Sequence, residues 1–120
     1  MENLTESIIE TYVQRIVQQG HPLGIILFGS YARDSANENS DVDLLVIEET
    51  PDVNHHRALM YRQALRPRTM PLDLLVLTPA EIRDGYARRI PFLRDLLEEG
   101  RWVYGDPRRA GLSDLGSRRS

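Results

Sequence analysis

The sequence of 120 residues contains no cysteine and no lysine. Without cysteine the chain cannot form disulfide bonds, carry out thiol catalysis or build a zinc site from cysteine ligands. All fifteen basic residues are arginine, and we infer no function from this bias. The chemistry of the protein must therefore rest on carboxylates, hydroxyls, imidazoles, guanidinium groups and the backbone.

Long apolar runs are missing as well. No stretch approaches the roughly 20 apolar residues that are needed to cross a bilayer. The N-terminus, with Glu2, Glu6 and Glu10, lacks the basic and then apolar character of a signal peptide. We therefore expect a cytoplasmic protein that has no membrane partner.

The overall charge is low and slightly acidic, with a net charge of −3 and a pI near 5.6. This balance offers no basic surface for nonspecific binding to phosphate backbones, so we expect no stable nucleic-acid binding. A hydrophobic content of 41% can build one modest core. We predict a single domain over residues 1–105, followed by a disordered tail over residues 106–120, where apolar residues are few.

Apolar periodicity predicts an α/β fold in the order α-β-α-β-α-β-α-α-β. We expect the first helix to begin at Leu4 and stop at Gly20, with Asn3 and Glu6 as a capping pair. Further helices are predicted over residues 54–65, 79–88 and 91–100, and strands over residues 25–28, 42–48, 71–77 and 101–104. Because the first connection between strands is short, we expect a small mixed sheet flanked by helices.

Two aspartates lie at the start of the second predicted strand. Side chains alternate between the faces of a strand, so Asp41 and Asp43 point the same way with Cα atoms roughly 6.6 Å apart. Their mutual repulsion is removed by a hard divalent cation. Mg²⁺ is usually held by one or two carboxylates together with substrate phosphates, and two such ions can clamp a phosphoryl displacement. The pair predicts a magnesium site.

Asp73 interrupts a strand that is otherwise apolar on both faces. A carboxylate buried there without a partner would be costly, so we expect it to lie beside a cation or to reach a cleft. The alternative is that Asp41 and Asp43 are ordinary surface aspartates. That interpretation leaves Asp73 unexplained.

A Gly29-Ser30 pair ends the first predicted strand. Gly29 permits a backbone conformation or a close approach that a Cβ would hinder, and Ser30 is a good N-cap for a short helix. A helix N-terminus binds phosphate readily, and Arg33 follows on the same helix. Arg66 and Arg68 precede the Asp73 strand and could also contact phosphate, although arginines in loops are usually solvated. Their role stays open.

The ordered set of Gly29-Ser30, a ten-residue spacer, Asp41-x-Asp43 and Asp73 resembles the minimal nucleotidyltransferase (MNT) domains of the DNA polymerase beta-like superfamily. The likeness covers nearly the whole chain. It implies a magnesium-dependent transfer of AMP from ATP to a hydroxyl. Asp41 and Asp43 would bind two metal ions, Asp73 would share one of them and help to deprotonate the acceptor, and Gly29-Ser30 would hold the terminal phosphates.

The resemblance also implies a partner. Family members of this size are similar to the antitoxins of HEPN–MNT toxin–antitoxin pairs, which adenylylate a tyrosine of a helical HEPN toxin. Two alternatives stay open. Small-molecule transferases of the aminoglycoside type normally carry an additional helical domain, which we do not find in this sequence. A noncatalytic module could instead neutralise a toxin by binding alone.

Overall fold

The computed structural model describes residues 4–32, 41–50, 54–67 and 70–115. The elements follow the predicted order, with boundaries that differ by a few residues. They are α1 (Leu4–Gln19), β1 (Gly24–Phe28), a single 3-10 turn (Gly29–Tyr31), β2 (Val42–Ile47), α2 (Asn54–Ala64), β3 (Leu72–Leu77), α3 (Pro79–Ala87), α4 (Pro91–Glu99) and β4 (Arg101–Gly105). Asn3, the predicted capping partner of Glu6, lies outside the described residues.

The four strands form one mixed sheet in the order β3-β2-β1-β4. β1 runs antiparallel to both β2 and β4, whereas β2 and β3 are parallel. The parallel pair is joined through α2, since parallel neighbours need a long crossover connection. The predicted mixed α/β fold is confirmed.

Each face of the sheet packs against its own layer. The strand residues that α1 and α2 cover are all apolar: Ile25, Leu27, Val42, Leu44, Val46, Leu74 and Val76. On the opposite face a second buried cluster joins the sheet to α3, α4 and the segment after β4: Ile26, Leu45, Ile47, Ile82, Leu96, Ala110 and Leu112. Strand alternation therefore places Asp43 and Asp73 on the same face as α3 and α4.

The segment after β4 differs from its prediction. Residues 106–115 were expected to belong to a disordered tail, but Ala110 and Leu112 are each only 1% exposed within the second cluster. Turn hydrogen bonds support the segment, and Arg83 donates to the Asp114 carboxylate at 2.8 Å. Two well-placed apolar residues are enough to anchor a short segment, which a composition average cannot reveal.

The junction between β3 and α3 is held by a capping box and a buried arginine. The Thr78 hydroxyl accepts from the Glu81 backbone N–H at 3.1 Å, and the Glu81 carboxylate accepts from the Thr78 N–H at 2.8 Å. Arg57 of α2 is buried and donates to both Glu81 and the Val76 carbonyl. These contacts tie the layer of α2 to the layer of α3. Within the described ranges no helix is both long and apolar enough to span a bilayer.

Candidate active site

Three side chains form a row across the end of the sheet. In the strand register, Phe28 of β1 lies opposite Asp43 of β2, and Asp43 lies beside Asp73 of β3. Neighbouring strands are about 4.8 Å apart, and paired residues point to the same face. The fold therefore brings together two carboxylates that are 30 residues apart in sequence.

A cleft of about 350 Å³ opens over this row. The sheet contributes Phe28, Asp43 and Asp73 to its lining, and α4 contributes Phe92, Asp95 and Glu99. The expectation that Asp73 reaches a cleft is confirmed, since this carboxylate is exposed there. A strand that is apolar elsewhere can carry an aspartate at this position because water reaches it.

Asp41 is placed differently from the other two carboxylates. It stands just before β2, is exposed, and is not among the residues that line the cleft. The adjacent Val42 N–H donates to the Pro71 carbonyl at 2.9 Å, which fixes the start of β2 against β3. Asp41 therefore lies two residues before Asp43 in the chain and outside the cleft lining.

The turn after β1 depends on Gly29. This residue has φ +77°, a left-handed conformation that glycine adopts without steric cost. A Cβ at this position would collide with the Asp43 carboxylate. The predicted need for glycine is confirmed for both reasons, conformation and close approach. The turn consequently lies directly against the central carboxylate of the row.

Ser30 does not have the predicted capping role. The 3-10 turn begins at Gly29, so Phe28 occupies the N-cap position and no side chain caps the turn. A turn of three residues also lacks the long array of aligned peptide dipoles that makes a helix N-terminus attract anions. Any phosphate contact here must come from the turn itself rather than from a helix end. Arg33 lies outside the described residues.

The contribution of α4 to the site was not predicted from the sequence. Phe92 is 45% exposed, whereas Leu93 and Leu96 of the same helix are buried. Phe92, Asp95 and Glu99 are spaced at i, i+3 and i+7, so they share one face of the helix. From the sequence alone, this spacing could have indicated that α4 forms a second wall of the site.

Arg66, one of the two arginines that precede the β3 strand, gains no contact with the cleft. Arg66 is exposed and does not line it. Arg68 lies outside the described residues. A larger groove of about 620 Å³ runs between α1 and β4, with Ile9, Val13 and Val103 among its lining residues. It contains neither the aspartate row nor the Gly29 turn, so we assign no reaction to it.

The carboxylate pair suits a hard cation that is shared with a substrate. Among residues 4–32, 41–50, 54–67 and 70–115, no three acidic or histidine side chains converge closely enough to hold a metal ion. Mg²⁺ does not need such a cage, because it commonly uses one or two carboxylates and completes its shell with phosphate oxygens and water. Asp43 and Asp73, adjacent in one cleft, fit that requirement.

The chain is similar to known proteins in sequence and in fold. Residues 7–103 match the family described as a nucleotidyltransferase domain. The chain belongs to this nucleotidyltransferase family. The prediction of an MNT-type nucleotidyltransferase is confirmed.

Two curated relatives of this nucleotidyltransferase come from Methanocaldococcus jannaschii, and each is named a "Putative protein adenylyltransferase". The relative MJ0604 is 30% identical over 103 residues, which cover 82% of this chain and 97% of the relative. The relative MJ1305 is 52% identical over 48 residues, which cover 38% of this chain and only 33% of that protein.

The fold of the nucleotidyltransferase also matches a solved structure. One chain in a crystal structure of a toxin–antitoxin with AMP-PNP aligns with a TM-score of 0.60 and 21% identity. The alignment covers 86% of this chain and 78% of the other. At this identity, the likeness shows the common fold alone.

Proposed function

We propose that this nucleotidyltransferase is a protein adenylyltransferase, which transfers AMP from ATP to a tyrosine hydroxyl of a cognate HEPN-type toxin. The observation that carries the proposal is the pairing of Asp43 with Asp73 in one cleft, directly against the Gly29 turn. The names of the two archaeal relatives support a protein acceptor. The toxin–antitoxin structure with AMP-PNP supports the type of partner and an adenine nucleotide.

The reaction is an in-line substitution at the α-phosphorus of ATP. The acceptor oxygen forms a bond to that phosphorus, the bond to the bridging oxygen of the β-phosphate breaks, and pyrophosphate leaves. Asp73 lies on the outer side of Asp43, where it can receive the hydroxyl proton directly or share a metal ion that lowers the pKa of the hydroxyl. The Gly29-Ser30 turn would hold the departing phosphates.

Magnesium would be held by Asp43 and Asp73 in the cleft, and Asp41, which lies outside the cleft lining, would join them only if its side chain turned toward the cleft. When bound, Mg²⁺ neutralises the phosphate charge and stabilises the attacking and leaving oxygens. The carboxylates of the chain have a second task, which is to orient the triphosphate over β2. Without a cation the row would repel ATP, so the same residues that position the nucleotide also make its binding dependent on the metal.

The small volume that the cleft would leave beside a bound nucleotide favours a protein as the acceptor. The cleft of about 350 Å³ is at the low end of the range for small-ligand pockets and would largely be filled by the nucleotide. The larger groove between α1 and β4 does not border the aspartate row. The acceptor must therefore bring its own surface, as a protein does.

Incubation with the neighbouring gene product tests the proposal. The protein is mixed with Mg²⁺, ATP labelled at the α-phosphate, and the HEPN-type protein encoded beside it. Mass spectrometry should find an adenylyl group on a tyrosine of the neighbour. Asp84→Asn is a matched control, because it removes an exposed carboxylate on α3 that pairs with Arg88 away from the cleft.

Two outcomes would contradict the proposal. If the neighbour stays unmodified and the Asp41→Asn/Asp43→Asn double variant still neutralises it fully, the protein acts as a noncatalytic binding module. If label instead appears on an aminoglycoside-type small molecule and not on protein, the acceptor class is wrong although the transferase chemistry is right.

A further inference from the structure

Phe92 is a large apolar side chain that the packing of α4 does not require. Leu93 and Leu96 already bury the apolar face of this helix, whereas Phe92 remains 45% exposed. Its ring lies in the carboxylate cleft and packs on the Phe28 ring, with centroids 5.6 Å apart and an interplanar angle of 80°. Such an edge-to-face arrangement holds both rings in defined positions.

The two rings lie on one side of the reaction centre. Phe28 occupies the same row as Asp43, on the flank of Asp43 opposite Asp73. In an in-line substitution the attacking and leaving oxygens lie on opposite sides of phosphorus. The acceptor approaches from the Asp73 side, and pyrophosphate rests at the Gly29 turn. The nucleoside must extend in a third direction, away from the sheet, and α4 with Phe92 forms the wall of the cleft on that side.

We propose that Phe92, supported by Phe28, is the platform on which the purine base of the nucleotide stacks. This inference rests on the proposed function. Aromatic side chains bind bases through their flat faces, and a purine offers more stacking area than a pyrimidine. Phe92 is therefore a specificity-determining residue that selects a purine nucleotide.

The charges on α4 favour the same orientation. Asp95 and Glu99 share the helix face of Phe92 and line the cleft. Their carboxylates repel a polyphosphate, so the triphosphate is directed toward the metal-binding end of the row. A neutral base meets no such repulsion, and its amino group can donate hydrogen bonds to carboxylate oxygens. The apolar platform and its acidic flank thus suit a nucleoside and not the phosphates.

Binding measurements can separate the base from the phosphates. Calorimetry compares Mg²⁺–ATP with Mg²⁺–tripolyphosphate, which lacks the base and the ribose. Phe92→Leu should weaken ATP binding by about ten- to a hundredfold and leave tripolyphosphate binding unchanged. Phe92→Trp should keep the ATP affinity. Leu59→Ala is a matched control, since Leu59 is 49% exposed on α2, which covers the opposite face of the sheet.

A spectroscopic signal keeps the test independent of the stability of the leucine variant. The introduced tryptophan of Phe92→Trp should lose fluorescence on addition of ATP but not of tripolyphosphate, relative to the wild type with its single Trp102. Unchanged ATP affinity in Phe92→Leu, together with a raised KM for the acceptor, would overturn the inference and assign Phe92 to acceptor binding. Failure of the wild type to bind Mg²⁺–ATP would instead refute the proposed function itself.

Discussion

The two faces of the sheet are built from the same strands, but they differ where β2 begins. Under α1 and α2, the inward residues Val42, Leu44 and Val46 are buried over the whole length of β2. Under α3 and α4, Leu45 and Ile47 are buried in the same way, and the residue that continues their row toward the start of the strand is an aspartate. One face is a closed core and the other opens into a cleft.

This difference shows how a small domain can carry a reactive site without losing its core. The closed face supplies continuous apolar burial, which is the main favourable contribution to folding. On the other face, α4 leaves the last row of side chains open to water, so carboxylates can stand there without the full cost of desolvation. Stability and chemistry are therefore assigned to opposite sides of the same strands.

The largest effect is expected from substitutions on the two sides of β2. Asp41→Asn with Asp43→Asn should lower nucleotide transfer by at least about 1,000-fold, because the charges that hold the metal and orient the phosphates are lost. The fold should persist, since removing two like charges relieves repulsion.

Leu44→Ala, on the closed face, should affect stability and not catalysis. It should cost about 2–5 kcal/mol of unfolding free energy while the folded fraction retains its activity.

Transfer of labelled AMP and urea unfolding measure these two effects. Undiminished transfer by the double asparagine variant would refute the metal-site assignment. A loss of stability in that variant as large as in Leu44→Ala would show that the open face also supports the fold. Either outcome would contradict the assignment of catalysis to one face of the sheet and of stability to the other.

The sequence was sufficient to predict the helices and strands of the fold. Apolar spacing located the helices and strands, because the buried faces of helices and strands repeat with different periods. The Gly29 turn was also predictable, since few other residues tolerate its conformation. These features are local, and their physical causes lie within a few residues of each other.

The arrangement of the site was not predictable in the same way. The sequence suggested Asp41 and Asp43 as the adjacent pair, whereas the cleft brings Asp43 beside Asp73. That pairing depends on the register between two strands that are far apart in the chain, and no local pattern encodes it. The exposure of Phe92 likewise depends on how α4 lies over the sheet. The roles of these residues in the reaction remain predictions.

A second effect, of intermediate size, concerns Asp73 alone. Asp73→Ala should lower kcat by about 10²- to 10⁴-fold, the usual contribution of a group that accepts a proton in the transition state. The affinity for Mg²⁺–ATP should change much less, because this role is realised when the acceptor attacks. Single-turnover kinetics and calorimetry separate the two quantities. A matched fall in ATP affinity, with an unchanged rate on bound substrate, would show that Asp73 only helps to hold the nucleotide.

The smallest effect is expected where the two layers are joined, at Arg57 and Glu81. Burial alone would raise the pKa of Glu81, but the Thr78 N–H and the Arg57 guanidinium outweigh it and hold the pKa below its usual 4.5. A carboxyl group whose pKa is lower in the folded state stabilises the fold at pH values above its pKa in the unfolded chain. This contribution is lost as the pH falls through the pKa of the folded state.

Glu81→Gln keeps the capping acceptor and should cost about 1 kcal/mol of unfolding free energy at pH 7, because a carboxylate that is 43% exposed is partly screened. Urea unfolding from pH 7 to pH 3 should show the difference from wild type shrinking below about pH 4.5. A difference that stays constant with pH would mean that the contribution of Glu81 comes from its hydrogen bonds and not from its charge.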